Sequence, residues 1–189
     1  MDASKGHILV MGVNILAEQR TGGMLYTAKV YEFLSKQPGW HVEPCELSGL
    51  RKWTRFRLIS LYLLWKCRKR YGYIIIDGTL FYFLFLMYAK ARGSRIVCLC
   101  YHLISKEQSR VRKIVTKIKE RMLVEMVDKF IFISESTLKD AVSAGYRKLD
   151  YVLVQPGLDK EIWTDRTKEY AVSGGKFNVI FVGHVVKRK

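Results

Sequence analysis

The residues best able to do chemistry stand where apolar runs end. His102 follows one such run and precedes the turn Leu103-Ile104-Ser105. An imidazole there can hydrogen-bond a substrate hydroxyl or donate to a developing charge; it can equally cap local backbone. Asp77, followed by Gly78, can hold an acceptor hydroxyl or cap the helix that comes next. Gly22-Gly23 sets bare amides at a helix start, where backbone can approach an anion, although paired glycines also make plain turns. Ser134-Glu135 closes the set. No paired-carboxylate, Ser-His-Asp, metal-binding or phosphate-loop pattern accompanies them. Gly22-Gly23 comes too late and is too sparse for the three spaced glycines of a dinucleotide fingerprint.

The elements that must position these residues follow from apolar periodicity. The run from His7 to Asn14 predicts a buried strand. A helix is expected from Gly22-Gly23 to about Ser35, with the apolar Leu25, Ala28, Val30, Tyr31 and Leu34 on one helical face. Gln37-Pro38-Gly39 breaks it before a strand over His41 to Leu47. Residues 51–70 read as a basic helix or helix pair. A third strand, Tyr73 to Asp77, turns at Gly78 into an aromatic-rich helix ending near Gly93. Arg95 to Tyr101 is a strand; Ser105 to Asp128 is a long helix with Ile114, Ile118, Met122 and Met126 near one side. Lys129 to Ile133, a helix capped by Ser134 or Ser136 and reaching about Gly145, and a strand from Tyr151 to Gln155 complete the series. Strands apolar almost throughout, alternating with helices, predict a parallel sheet covered on both faces. The fold class expected is α/β, a doubly wound, Rossmann-like sheet, and its ligands belong at the carboxyl ends of the strands.

Domain organisation follows the same reading. Residues 1–157 make the Rossmann-like domain, and 158–175, polar and ending in Ser173-Gly174-Gly175, make a linker. Residues 176–189 open with Phe177 to Gly183, a buried-type strand. It is read as the first strand of a second domain, with a seventh strand of the same sheet as the alternative.

Composition narrows the function classes. Hydrophobic residues make up 49% of the 189, and 3 prolines and 14 glycines are present, which excludes disordered and low-complexity classes. No stretch approaches the roughly 20 apolar residues of a membrane-spanning helix. Met1 to Lys5 lead into a strand without a signal-type apolar segment. Cys45, Cys67, Cys98 and Cys100 lack metal-site spacing, and Cys98 and Cys100 share a strand face as buried thiols. A reducing cytoplasm fits these thiols and is the expected location.

Lys and Arg total 33 against 17 acids, a formal net charge of +16, which implies a polyanionic partner. Between 51 and 70, Arg51, Lys52, Arg55, Arg57, Lys66, Arg68, Lys69 and Arg70 stand with no acid around an apolar centre that includes Trp53 and Trp65. Cationic ends around an aromatic, apolar middle are the make-up of a helix lying on anionic lipid, as opposed to a solvated helix that merely covers the sheet. Lys106, Arg110, Arg112, Lys113, Lys117, Lys119 and Arg121 extend the field. Nucleic acid ranks well below membrane, because no recognition-helix, zinc-finger or RNP pattern is present.

Taken in order, the first strand, Arg20-Thr21-Gly22-Gly23 with its helix, His102, the segment Asp128 to Thr137, Val154-Gln155-Pro156-Gly157-Leu158-Asp159 and the final KFNVIFVGHVVKRK resemble glycosyltransferase family 4 of the GT-B fold. The resemblance covers almost the whole chain. It implies two Rossmann-like lobes across a cleft, with an acceptor-side N-terminal lobe and a second lobe entered at 176–189 and cut off there. It further implies transfer from a nucleotide sugar with retention of configuration, and no metal or other cofactor. Gly22 and Gly23 would approach the donor diphosphate, His102 would lie beside the transferred sugar, and Lys189 would match a diphosphate-binding lysine. His184 stands where the family usually has arginine, and Pro156 where it has asparagine. The expectation is the acceptor-side part of a glycosyltransferase, inactive as this chain alone, extending a lipid-linked or cell-surface glycan at the inner membrane face. The alternative is a non-catalytic basic module that docks to anionic lipid or nucleic acid.

Overall fold

The computed structural model describes residues 6–13, 15–16, 22–47, 62–66, 68–80, 83–106, 110–146 and 149–157. Backbone contacts cluster into two units, Met1–Pro156 and Gly157–Lys189, and every element below belongs to the first. The linker at 158–175, the expected strand within 176–189, Lys189, and Arg51, Lys52, Trp53, Arg55 and Arg57 lie outside the described residues.

Strands and helices alternate: β1 (His7–Gly12), α1 (Gly22–Ser35), β2 (His41–Glu46), a helical stretch at 62–66 (α2), β3 (Tyr73–Asp77), α3 (Phe83–Ala91), β4 (Arg95–Cys100), α4 (Arg110–Met126), β5 (Lys129–Phe132), α5 (Glu135–Ser143) and β6 (Tyr151–Leu153). The six strands form one sheet in the order β2-β1-β3-β4-β5-β6, and every pairing is parallel. This is a Rossmann-like α/β fold. Its cause is the unbroken apolar character of β1, β3 and β4, whose alternate side chains must be buried on opposite faces.

Leu9, Met11, Ile74, Ile76, Ile96, Cys98, Cys100, Phe130 and Phe132 point to one face. There they pack with Leu63 of α2, Phe85, Leu86 and Ala89 of α3, Leu123 and Met126 of α4, and Ala141 of α5. Ile8, Val10, Ile75 and Leu99 point to the other, against Ala28, Tyr26, Val30, Tyr31 and Leu34 of α1. Full burial of each large apolar side chain contributes on the order of 1.5–3 kcal/mol. Two helices end on a left-handed glycine. At Gly93 (φ 85°) and Gly145 (φ 91°) the reversal lets Ser94 N–H reach Ala89 O at 3.1 Å and Tyr146 N–H reach Ala141 O at 3.2 Å, closing the exposed carbonyls of α3 and α5.

On the expected face of α1, Ala28 is buried and Val30, Tyr31 and Leu34 pack partly buried against the same cluster, whereas Leu25 is exposed and Thr27 is buried. In α4 the buried residues are Glu120, Leu123 and Met126, whereas Ile114 and Ile118 are 64% and 54% exposed. Burial lies in the second half of α4, whereas Ile114, Val115 and Ile118 of the first half turn outward.

Candidate functional site

The strand order reverses at β1. Its chain leaves through α1 to β2 on one side, while β3 to β6 follow on the other, so the carboxyl ends of β1 and β3 flank the crevice where open α/β sheets place their ligands. Gly12 ends β1, and a Cβ there would fall 3.0 Å from Thr27 Cγ2 and from Ile15 Cγ1. The missing side chain brings α1 down onto the strand end.

Gly22 and Gly23, equivalent in the sequence, differ in space. A Cβ on Gly22 meets nothing within 4 Å, whereas one on Gly23 would lie 3.1 Å from Cδ2 of Tyr101. A side chain at position 23 would thus crowd Tyr101, and one at position 22 would not. The Tyr101 hydroxyl hydrogen-bonds Thr27 Oγ1, which also donates to Gly23 O at 3.2 Å; the Tyr26 ring meets the Tyr101 ring edge-on at 5.8 Å. Burial raises the Tyr101 phenol well above its ordinary value, so it stays a neutral donor. Tyr101, Thr27 and Thr137 escaped the sequence reading. The available signal was a tyrosine at a strand end directly before His102.

Asp77 ends β3 and is buried. Its Oδ1 accepts from Thr79 N–H and Thr79 Oγ1, both at 2.8 Å, so this oxygen closes the turn toward α3. Burial raises its pKa, opposed by the two Thr79 hydrogen bonds and by the charge of His102. Gly78 N–H donates to Leu99 O at 2.8 Å, and a Cβ on Gly78 would stand 3.1 Å from that oxygen. The turn is thus drawn against β4. His102 is exposed just past β4, within electrostatic reach of Asp77.

At the end of β5, Ser134 caps α5 by accepting Thr137 N–H at 3.2 Å, and Thr137 Oγ1 donates to Tyr101 O at 3.1 Å. The ends of β4 and β5 are joined through this threonine. The structure thus draws Asp77 and His102 within electrostatic reach of each other, and Gly23 and Tyr101 into contact; it ties Ser134 to the same edge. Glu135 points to solvent in the first turn of α5.

A second surface is defined by exposure. Trp65 of α2 is 63% exposed, and Tyr62, Leu84, Met87, Ile114, Val115 and Ile118 are exposed as well. Around them Arg68, Lys69, Arg70, Lys90, Arg92, Lys113, Lys117, Lys119 and Arg121 are exposed. All belong to α2, α3, α4 or the segments that follow α2 and α3, so one side of the sheet bears an apolar and cationic exterior. No helix among the described residues is long and apolar enough to cross a membrane.

No protein-family model matches the sequence, and no curated protein matches it significantly. The class of the chain therefore rests on its fold, a Rossmann-like α/β domain with its polar cluster at the carboxyl edge of the sheet.

Proposed function

We propose that this chain is the acceptor-side lobe of a nucleotide-sugar-dependent, retaining glycosyltransferase that extends a lipid-linked or cell-surface glycan at an anionic membrane surface. What supports the proposal is the carboxyl edge of the sheet, where Asp77 at the end of β3 lies within electrostatic reach of the exposed His102 just past β4 and α1 opens on the unobstructed Gly22. Such an edge suits a polyhydroxylated, anionic substrate. Amides at a helix start favour a diphosphate, and an imidazole can hydrogen-bond the sugar as charge develops. Asp77, within electrostatic reach of His102, serves the acceptor side. Lys189, outside the described residues, is assigned to the diphosphate on the resemblance alone.

The apolar, cationic exterior of α2, α3 and α4 supports the membrane part of the reading. Side chains such as Trp65, Ile114 and Ile118, set among lysines and arginines, match an interfacial surface better than a solvated one. The test is sugar transfer by the full-length protein, using a panel of nucleotide sugars and lipid-linked acceptors. Transfer is expected with a retained anomeric configuration. Absence of transfer from every donor, with lipid binding intact, would assign the chain to the non-catalytic class of membrane-docking modules.

A further inference from the structure

The opposite edge of the sheet holds a different chemistry. β1 and β2 run parallel with His7 directly opposite His41, and residues paired in this way project to the same face. Their ring centroids are 4.9 Å apart. Glu43, two residues along β2, shares that face, and its Oε1 lies 3.4 Å from His41 Nε2. One potential ligand atom from each of the three falls within 4.8 Å of the others. In a tetrahedral zinc site, bonds of about 2.0–2.2 Å place neighbouring ligand atoms roughly 3.3–3.6 Å apart. The His41–Glu43 edge already has that length, and a rotation of the imidazoles closes the rest.

We propose that His7, His41 and Glu43 form a binding site for a divalent transition-metal ion of the zinc class, with its remaining position open to solvent. The ligand set selects the ion: two imidazoles and one carboxylate suit zinc and its neighbours, whereas magnesium and calcium require oxygen. The frame is rigid. His7 O accepts Gly72 N–H at 2.9 Å, and the β1–β2 ladder fixes both strands. Tyr71 donates to Glu43 Oε2 at 3.1 Å, leaving Oε1 for the metal in the manner of an outer-shell partner that orients a ligating carboxylate.

Lys69 is the competitor. Its Nζ sits 2.8 Å from Glu43 Oε1, and its own side chain is 67% exposed against 18% for Glu43, so the ammonium is held from the solvent side and can leave to water. An arriving dication displaces it into solvent. The site clips the amino end of the edge strand β2 to β1. It lies at the far edge from the crevice, so it stands or falls independently of sugar transfer.

The experiment is calorimetric titration of the intact chain with zinc chloride, with cobalt(II) substitution read by its visible absorption. Binding of zinc is expected, and none of magnesium. His41→Ala, at a side chain 62% exposed, leaves the fold intact by circular dichroism and should weaken zinc binding at least about 100-fold, the upper end of what losing a merely supporting outer partner costs. Lys69→Met should tighten binding, and Arg68→Met, which removes the same charge from the neighbouring position, should not. No zinc binding, or binding that His41→Ala and Glu43→Gln leave unchanged, or equal tightening by the two methionine variants, would overturn the proposal.

Discussion

Gly23 and Tyr101 meet where the first turn of α1 crosses the end of β4, and a Cβ on Gly23 would stand 3.1 Å from the tyrosine ring. The ring cannot easily yield, because its hydroxyl is bonded to Thr27 and Tyr26 packs against it. Gly23→Ala should therefore destabilise the chain by about 1 kcal/mol, overpacking outweighing the better helix propensity of alanine. Gly22→Ala, with nothing within 4 Å, should stabilise by up to about 1 kcal/mol. Urea denaturation of the two variants checks the opposite signs.

Asp77 should make stability fall as pH rises. Burial, the largest influence, raises its pKa above the ordinary 3.8 despite the hydrogen bonds from Thr79 and the charge of His102. The folded chain thus keeps this proton to higher pH than the unfolded chain. Its contribution is most favourable below pH 3.8 and declines as pH climbs through the folded-state value. Asp77→Asn retains the Oδ1 that accepts from Thr79 and abolishes the titration. The variant should gain stability over the parent as pH rises above 3.8, measured by denaturation at each pH.

The buried thiols should be inert. Burial pushes Cys45 up to about 11 and Cys100 up to about 12, and it raises Cys98 well above its ordinary value. Thiolate is the reacting form. In a Cys67→Ser variant, a thiol reagent near pH 8 should modify the chain only at the rate of unfolding, followed by mass spectrometry. Rapid modification would mean that the sheet core is open to solvent.

His102→Ala should lower the rate of sugar transfer by the full-length protein by roughly 10²–10³, the usual cost of losing one polar contact to a transition state. Because His102 is exposed, thermal stability should hardly change. Unaltered turnover would return His102 to the role of a local cap.

Vesicles test the exterior of α2 to α4. The chain should bind vesicles containing anionic lipid, ignore neutral ones and dissociate as salt shortens the Debye length to about 3 Å at 1 M. Trp65 emission should shift to the blue on binding. Ile114→Asp with Ile118→Asp should weaken binding at least about tenfold, since each change removes apolar contact and adds a charge that anionic lipid repels. Binding of nucleic acid in preference to lipid, with a steep salt dependence, would name the other polyanion.

Much of the fold was legible in the residues. Apolar runs such as HILVMG at His7–Gly12 and YIIID at Tyr73–Asp77 have no polar face and so require burial on both sides, which a parallel sheet between helices supplies. Ser134 could be read as a cap from its place before Glu135-Ser136-Thr137, and Cys98 and Cys100 as buried neighbours from their spacing of two. Helix faces were less legible. Ile114 and Ile118 follow the periodicity of a buried stripe, yet periodicity states only which residues share a side. Which side meets the sheet depends on where α4 crosses it.

What the sequence by itself determined is local: which runs become strands, where the helices start and stop, and that polar residues gather at strand ends. Only the tertiary structure decided which distant residues meet. Nothing in the spacing distinguishes Gly22 from Gly23; the position of Tyr101 does. Nothing joins His7 to His41 until the parallel register of β1 and β2 sets them opposite each other. The physical reason is that propensity and periodicity act within a few residues along the chain, whereas register and packing are settled by the best common burial of all six strands at once.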